Sequence, residues 1–375
     1  MVQVPYLPPL LPVSGLVPAL HIAGGFLFAL IPMPVPWLLG PMLAVLIGSK
    51  LSRIPLYWPA ALRHTGLVLV SYSIGLSFTR EAMLQIMKQL PSMLVVTLLT
   101  LGLCVVTALI VSRLSGIDYP TIATGSVPGG LSQMITLAEE MKDIDVTTVA
   151  FFQVTRLILI VFCIPLLIFS PWFGGFVSAP GTGGLDEAAA SWGALWPDLL
   201  LYAAACIAGV LVAVKLKLPT AYMLGPILAI AALTMIGFPG PTLPSGLLSL
   251  SQFMIGGYVG LLLKPGQLNH RFKLIAFAIC SGVVLIAGSW IFSIGLTLVH
   301  PVSETTSFLS VAPGGMDQMS IIAHEVRADL SMVSGYQLFR LFFIYFAVPP
   351  LLKLGFRYYR LLKVRVQPAR HVHKR

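Results

Sequence analysis

The sequence predicts an all-α polytopic membrane protein made of two homologous halves, inverted repeats of five spans plus one re-entrant Pro-Gly-Gly hairpin each. Three observations lead there. Of 375 residues, 57% are hydrophobic and 10% charged, with a mean hydropathy of +0.93, far from the roughly 25% charged residues of a soluble domain. Against this apolar background, two stretches concentrate glycine, amide and charge: SVPGGLSQMITLAEEMKDIDVTTVAFFQVTR (126–156) and SVAPGGMDQMSIIAHEVRADLSMVSGYQLFR (310–340). They are one pattern written twice. Pro128, Gly129, Gly130, Gln133, Met134 and Glu140 return 185 positions later as Pro313, Gly314, Gly315, Gln318, Met319 and Glu325. After the loss of one residue, Asp145, Gln153 and Arg156 return 184 positions later as Asp329, Gln337 and Arg340. The same offset of 185 relates Gly40 and Pro41 to Gly225 and Pro226, and Gly75 to Gly260. A constant offset over more than a hundred residues is the mark of internal duplication.

Taken in order, residues 1–14 form a proline-rich leader with no basic n-region, so no cleavable signal peptide is expected. Repeat 1 occupies 15–169. Its apolar segments fall at Gly15–Ile31, at PWLLGPMLAVLIG, at Trp58–Phe78, at Pro91–Val111 and, after the hairpin, at Thr148–Phe169. Pro41 inside the second of these removes a backbone bond, so that helix is expected to be broken or to start within the membrane. A Gly-, Ser- and Pro-rich linker with Asp186 and Glu187 spans 170–195. Repeat 2 occupies 196–355 and restates the series, with AYMLGPILAIAAL as the partner of the Leu-Gly-Pro segment. A basic cytoplasmic tail, 356–375, ends the chain.

Basic residues set the orientation. If each half crosses five times and the Pro-Gly-Gly segment dips in and returns, the tail lies inside together with Lys50, Arg53, Arg63, Arg113, Lys142, Lys215, Lys217, Lys264, Arg271 and Lys273. Only Arg80, Lys88 and Arg327 fall on the other side. With twelve crossings, Lys264, Arg271 and Lys273 would face outward, so ten spans and two hairpins are favoured. The multi-pass chain is assigned to the inner membrane.

The net charge of +10 is spread over short loops and the tail, which suits contact with anionic lipid and not nucleic acid. Cys104, Cys163, Cys206 and Cys280 lie singly in apolar runs, so neither disulfides nor a metal site is expected. The seven histidines are dispersed, and no HExxH, P-loop or credible Ser-His-Asp spacing is present. No catalytic residue is assigned and the chain is expected not to be an enzyme.

The hairpins carry the candidate site. A Pro-Gly-Gly step ends a helix and turns the backbone, and glycine lets an ion or substrate approach the main chain. Two such breaks related by duplication point to a transport site at the repeat interface; the alternative is that the glycines only allow close helix packing. The candidate residues are Gly129, Gly130, Ser132, Gln133, Glu140, Gln153 and Arg156 in the first copy. In the second they are Gly314, Gly315, Asp317, Gln318, Glu325, Asp329, Gln337 and Arg340. Arginine at mid-membrane costs roughly 2.5–3.5 kcal/mol and needs partners. Each arginine shares a helix face with the glutamine three residues before it. It either recognises a substrate oxyanion through its guanidinium fork or pairs with Glu140, Asp145, Glu325 or Asp329. Ser132 against Asp317 is the asymmetry: a carboxylate beside a glycine break either binds Na+ or a proton, or caps a helix. His324 beside Glu325 is a proton relay or an ordinary polar contact.

These features together, the SVPGG and VAPGG hairpins, the WLLGPMLA and YMLGPILA segments and the Q-x-x-R ends, resemble the bacterial AbrB-type membrane protein family, whose members carry two AbrB-duplication modules. The resemblance covers about 15–355. It implies the labels those members carry, regulator of gene expression or ammonia monooxygenase; the residues themselves support neither mechanism. The small soluble DNA-binding proteins that share the name are not similar to this chain. By fold analogy the plan is similar to sodium-coupled citrate and glutamate symporters, whose hairpin glycines match Gly129, Gly130, Gly314 and Gly315, although their fuller glycine motif is absent. The expected function is therefore secondary transport of a small anionic organic solute, coupled to Na+ or H+, with the site between the hairpins and no other cofactor. Membrane-embedded regulation through a partner is the alternative. The expected partners are the lipid bilayer and the organic anion, without direct nucleic acid; a homodimer is compatible with the chain.

Overall fold

A computed structural model describes residues 16–30, 35–51, 58–141, 144–170, 198–238, 240–262 and 272–366. The leader, nearly all of the linker and the last residues of the tail lie outside the described residues. Among the described residues the secondary structure is helical, in fifteen helices, α1 to α15.

The chain divides into two compact units. The first comprises residues 1–84, 161–270 and 320–331, so it draws on segments from both sides of the linker. It contains α1 (Leu16–Leu30), α2 (Pro36–Leu51), α3 (Ala60–Ser77), α8 (Leu199–Lys215), α9 (Ala221–Ile236) and α10 (Ser245–Leu262). Here α1 packs on α2 and α8 on α9, while α2 packs on α10, α9 on α3, and α3 on α10. Glycines set these approaches. A Cβ on Gly40 would run into the backbone carbonyl of Gly24, and one on Gly225 into that of Gly209. A Cβ on Gly75 would lie 3.1 Å from the Ile227 carbonyl, and one on Gly260 2.6 Å from the Met42 carbonyl. Small residues that let backbones touch are what holds helices together where lipid removes the hydrophobic drive.

The expected break at the Leu-Gly-Pro segments is not there. Both α2 and α9 run unbroken through Pro41 and Pro226. Each proline sits early in its helix, where it removes one bond to a first-turn carbonyl, and the glycine before it is clasped against the neighbouring helix.

The second unit, residues 85–160, 271–319 and 332–375, holds the longer helices. They are α4 (Arg80–Ser115), α5 (Tyr119–Ser126), α6 (Leu131–Glu139), α7 (Val146–Ile168, through Ile160), α11 (Phe272–Val299), α12 (Glu304–Val311), the start of α13 (Met316–Glu325), α14 (Leu330–Phe346, from Met332) and α15 (Val348–Val366). One core gathers Ile122 and Ala123 of α5, Met134 and Ala138 of α6, Val149 and Phe152 of α7, and Ile344 and Phe356. A second gathers Met93, Leu296, Val311, Met332 and Tyr336.

Helices α4, α7 and residues 273–299 of α11 are long and apolar enough to cross a membrane. The pair α14 and α15 makes a fourth if its 44° bend is one broken span; Pro349 and Pro350 follow that bend directly. Large apolar side chains stand uncovered by protein on α4 (Leu94, Val95, Leu98, Val106, Ile110) and on α11 (Val283, Ile291, Ile294, Leu298). Surfaces of this kind are uncommon on soluble monomers and normal against lipid.

Candidate functional site

Each Pro-Gly-Gly step separates two short helices. In the first copy α5 ends at Ser126, Val127 to Gly130 are extended or irregular, and α6 starts at Leu131 with Gly130 as its N-cap residue at φ −64° and ψ 134°. In the second, α12 ends at Val311 and α13 starts at Met316. None of Gly129, Gly130, Gly314 or Gly315 has positive φ, so the helix ends and the new helix begins at each step without left-handed backbone. Gly129 and Gly314 are needed for room. A Cβ on Gly129 would lie 2.8 Å from the Met134 methyl and 3.3 Å from Ile344. A Cβ on Gly314 would crowd Met319 and lie 3.0 Å from Ile160. The first break thus sits against α14 and the second against α7, at positions 184 apart.

The buried arginines explain how the broken ends are tolerated. Arg156 and Arg340 are 8% and 6% exposed. Arg156 donates through Nη1 to the carbonyls of Ser126 (3.2 Å) and Val127 (2.7 Å), and through Nη2 to Gln153 Oε1 (2.6 Å). Arg340 donates through Nη1 to Val311 (3.1 Å) and Ala312 (2.6 Å), and through Nη2 to the Gly314 carbonyl (2.9 Å) and Gln337 Oε1. The glutamine amides complete the set. Gln153 Nε2 donates to Thr124 (3.0 Å) and Val127 (2.9 Å), and Gln337 Nε2 to Leu309 (2.7 Å) and Ala312 (3.1 Å). A helix that stops inside the protein leaves its last carbonyls without partners and concentrates about half a negative charge there. The Q-x-x-R pair answers both, supplying donors and a cation.

Of the two alternatives for the arginines, pairing with Glu140, Asp145, Glu325 or Asp329 is not what the structure shows. Each of those acids is placed elsewhere. Asp145 caps α7, accepting from the Thr147 amide (3.0 Å) and the Thr148 hydroxyl (2.5 Å), as N-cap residues do. Asp329 stands in the same place before α14 and accepts from Ser331 Oγ (2.5 Å). Glu140 pairs with Lys353 at 2.7 Å on the surface. Glu325, at the end of α13, accepts from Gln252 Nε2 at 2.8 Å.

Of the remaining candidates, Gln133 donates to the Tyr345 carbonyl (3.1 Å). The buried Gln318 accepts from the Gly315 amide (3.3 Å) through Oε1. Asp317 lies in the first turn of α13 with its carboxylate folded back on Gly315, where a Cβ would meet Oδ1 at 2.5 Å. Ser132 is in the first turn of α6; its side chain lies outside the described residues.

Two polar clusters escaped the sequence reading. Ser92 Oγ, His300 Nε2 (3.0 Å) and the Tyr336 hydroxyl (2.7 Å) form a chain joining α4, the end of α11 and α14; separations of 208 and 244 residues leave no motif to notice. In the first unit, Ser251 and Gln252 face Ser320 and His324 across a small pocket beside α3. Two adjacent polar residues in the apolar run of α10 were the available signal.

Span-length apolar helices with lipid-facing surfaces, broken helices and buried arginines define a helical membrane protein. The chain belongs to the AbrB family: the family model described as transition state regulatory protein AbrB matches residues 37–355. It is similar to the "Putative regulator AbrB" of Escherichia coli (strain K12), 28% identical over 333 residues, covering 86% of this chain and 90% of that protein. It is also similar to the "Uncharacterized protein YhjN" of Bacillus subtilis (strain 168), 25% identical over 358 residues, covering 90% and 91% of the two chains.

Proposed function

We propose that the chain is a multi-pass secondary transporter of a small anionic organic solute in the inner membrane, coupled to Na+ or H+. The observation that carries this reading is the pair of clamped helix breaks. Irregular backbone at membrane depth is tolerated where it is buried in protein or lines a wet cavity, and broken helices in the two halves of a duplicated carrier form its binding site. In this reading the repeats are inverted, with five spans and one re-entrant hairpin each. The N-terminal ends of α6 and α13, which follow the glycines, supply the positive helix pole that an anion seeks. A buried guanidinium is bonded to the backbone of each break, Arg156 to Ser126 and Val127 and Arg340 to Val311, Ala312 and Gly314. The first break has Ser132 where the second has Asp317, so the first suits the anion and the second holds a carboxylate of use in coupling. The carrier assigns no catalytic residue and no cofactor beyond the coupling ion.

The test begins with thermal stabilisation of the detergent-purified protein by a panel of organic acids, since a ligand of the native state raises its apparent stability. Uptake of the acid that binds is then measured in proteoliposomes. Asp317→Asn is expected to impair uptake at unchanged membrane expression. Normal uptake by that variant removes Asp317 from the mechanism, and a folded protein stabilised by no acid removes the carrier reading.

A second reading, control of gene expression through a partner, is favoured by the regulator names of the family and of the Escherichia coli relative. It predicts that deleting the basic tail abolishes an expression response while no solute moves.

A further inference from the structure

One end of the first unit gathers four basic side chains. Arg63 and His64 lie in the first turns of α3, Lys215 ends α8, and Lys217 lies in the turn 216–220 that leads into α9. The two groups meet because the His64 ring stacks on Tyr222, in the first turn of α9, with centroids 3.7 Å apart and planes 6° apart. Arg63 is held from α10, where its guanidinium carbon lies 4.5 Å from the ring centroid of Tyr258. Among the described residues the one ion pair is Lys353 with Glu140, in the other unit, so none of these four has a carboxylate partner.

Stacking decides which atoms are left to bind a guest. The Tyr258 ring covers the face of the Arg63 guanidinium, and the N–H edge makes no hydrogen bond to the described residues. That edge is the fork that fits two oxygens of a phosphate. Lys217 sits in left-handed backbone at φ 54°, in a turn closed by the Leu218 amide on the Ala213 carbonyl at 3.0 Å. Glycine is the usual residue at such a helix end, so a lysine is kept where its backbone is strained. Both Lys215 and Lys217 are exposed. Leading up to them, α8 presents Ile207, Leu211 and Val214, each about half exposed or more, at spacings of four and three and therefore on one face.

We propose that this end of the first unit binds an anionic phospholipid, its phosphodiester on Arg63, Lys215 and Lys217 beside the His64–Tyr222 stack, and an acyl chain along the apolar face of α8. A zwitterionic lipid would bring its own cation to a cluster that has no acid, whereas basic pockets between membrane helices suit anionic headgroups. A free phosphate would have no use for the apolar stripe. The positions 185 residues away from Arg63, His64, Lys215 and Lys217 are Leu248, Ser249, Leu30 and Pro32, all uncharged. Helix packing common to the two halves therefore does not need the cluster. In the ten-span arrangement Arg63, Lys215 and Lys217 face the cytoplasmic leaflet, and the binding does not rest on the carrier reading.

The experiment follows the thermal unfolding midpoint of the full-length protein, purified in a neutral detergent, as dioleoyl phosphatidylglycerol, dioleoyl phosphatidylcholine or glycerol 1-phosphate is added. Phosphatidylglycerol is expected to raise the midpoint saturably, and the other two are expected to leave it unchanged. The half-saturating phosphatidylglycerol concentration is expected to rise about fivefold for each charge removed in the double substitution Lys215→Gln, Lys217→Gln. A rise of about fivefold is expected in Arg63→Lys, which keeps the charge and loses the fork. No change is expected in Lys88→Gln, an exposed lysine of α4. Should Arg63→Lys not fold, the lysine pair carries the test. An equal response to phosphatidylcholine overturns the anionic lipid, and a saturable response to glycerol 1-phosphate at the same concentration overturns it in favour of a free phosphate. An equal loss in Lys88→Gln overturns the site in favour of diffuse surface charge, and full affinity in Arg63→Lys overturns the guanidinium fork. Because no organic acid is present, failure here leaves the uptake result standing, and failure of uptake leaves a lipid shift standing.

Discussion

Replacing Arg340 separates a backbone clamp from a positive charge. Its guanidinium reaches the carbonyls of Val311, Ala312 and Gly314 and the Gln337 side chain from one planar fork. In Arg340→Lys the ammonium stays buried but is a point donor, and it satisfies at most two of those acceptors. Two charge-assisted bonds are then lost, at about 1.5 kcal/mol each, the low end of their range because a chain unfolded in lipid also finds partners. A loss of about 3 kcal/mol follows, with a buried cation left under-satisfied. In Arg340→Met the Ala312 carbonyl keeps Gln337, and the carbonyls of Val311 and Gly314 and the Gln337 Oε1 lose their donor at about 1–3 kcal/mol each. Removing the buried charge recovers several kcal/mol of desolvation, so Met is the milder change. The expected order of stability is therefore unmodified chain, Met, Lys, read by equilibrium unfolding in mixed micelles. Arg340→Lys within about 1 kcal/mol of the unmodified chain, or milder than Met, would refute the clamp and restore charge as the reason for the residue.

Two other substitutions test the packing. Gly40→Ala and Gly225→Ala press a methyl group into the backbone of Gly24–Gly25 and Gly209–Val210 and should cost at least the ~1–3 kcal/mol of overpacking, seen as loss of the monodisperse species in size-exclusion chromatography. Gly102→Ala, with nothing within 4 Å of the new atom, should be neutral or stabilising by up to about 1 kcal/mol. Lys353→Ala breaks an ion pair whose side chains are 51% and 54% exposed, and should change the unfolding free energy by less than about 1 kcal/mol.

Sequence alone determined the membrane class, the place of the helices and the position of the two breaks. Hydropathy, proline and glycine act locally, so a run such as residues 273–299 or the stop at Pro128 is decided by neighbours in the chain. It also determined that Gln153 shares a helix face with Arg156, and Gln337 with Arg340, because three residues are nearly one turn. What those pairs hold was settled only by tertiary structure. Their partners are carbonyls 25 to 30 residues away, and main-chain acceptors have no signature in the sequence, whereas the acids nearby did and drew the expectation toward themselves. The same holds for Pro41 and Pro226, whose helices stay whole because another backbone lies against the preceding glycine. It holds for the pocket too: Ser251, Gln252 and Ser320 become neighbours only when α3, α10 and α13 meet.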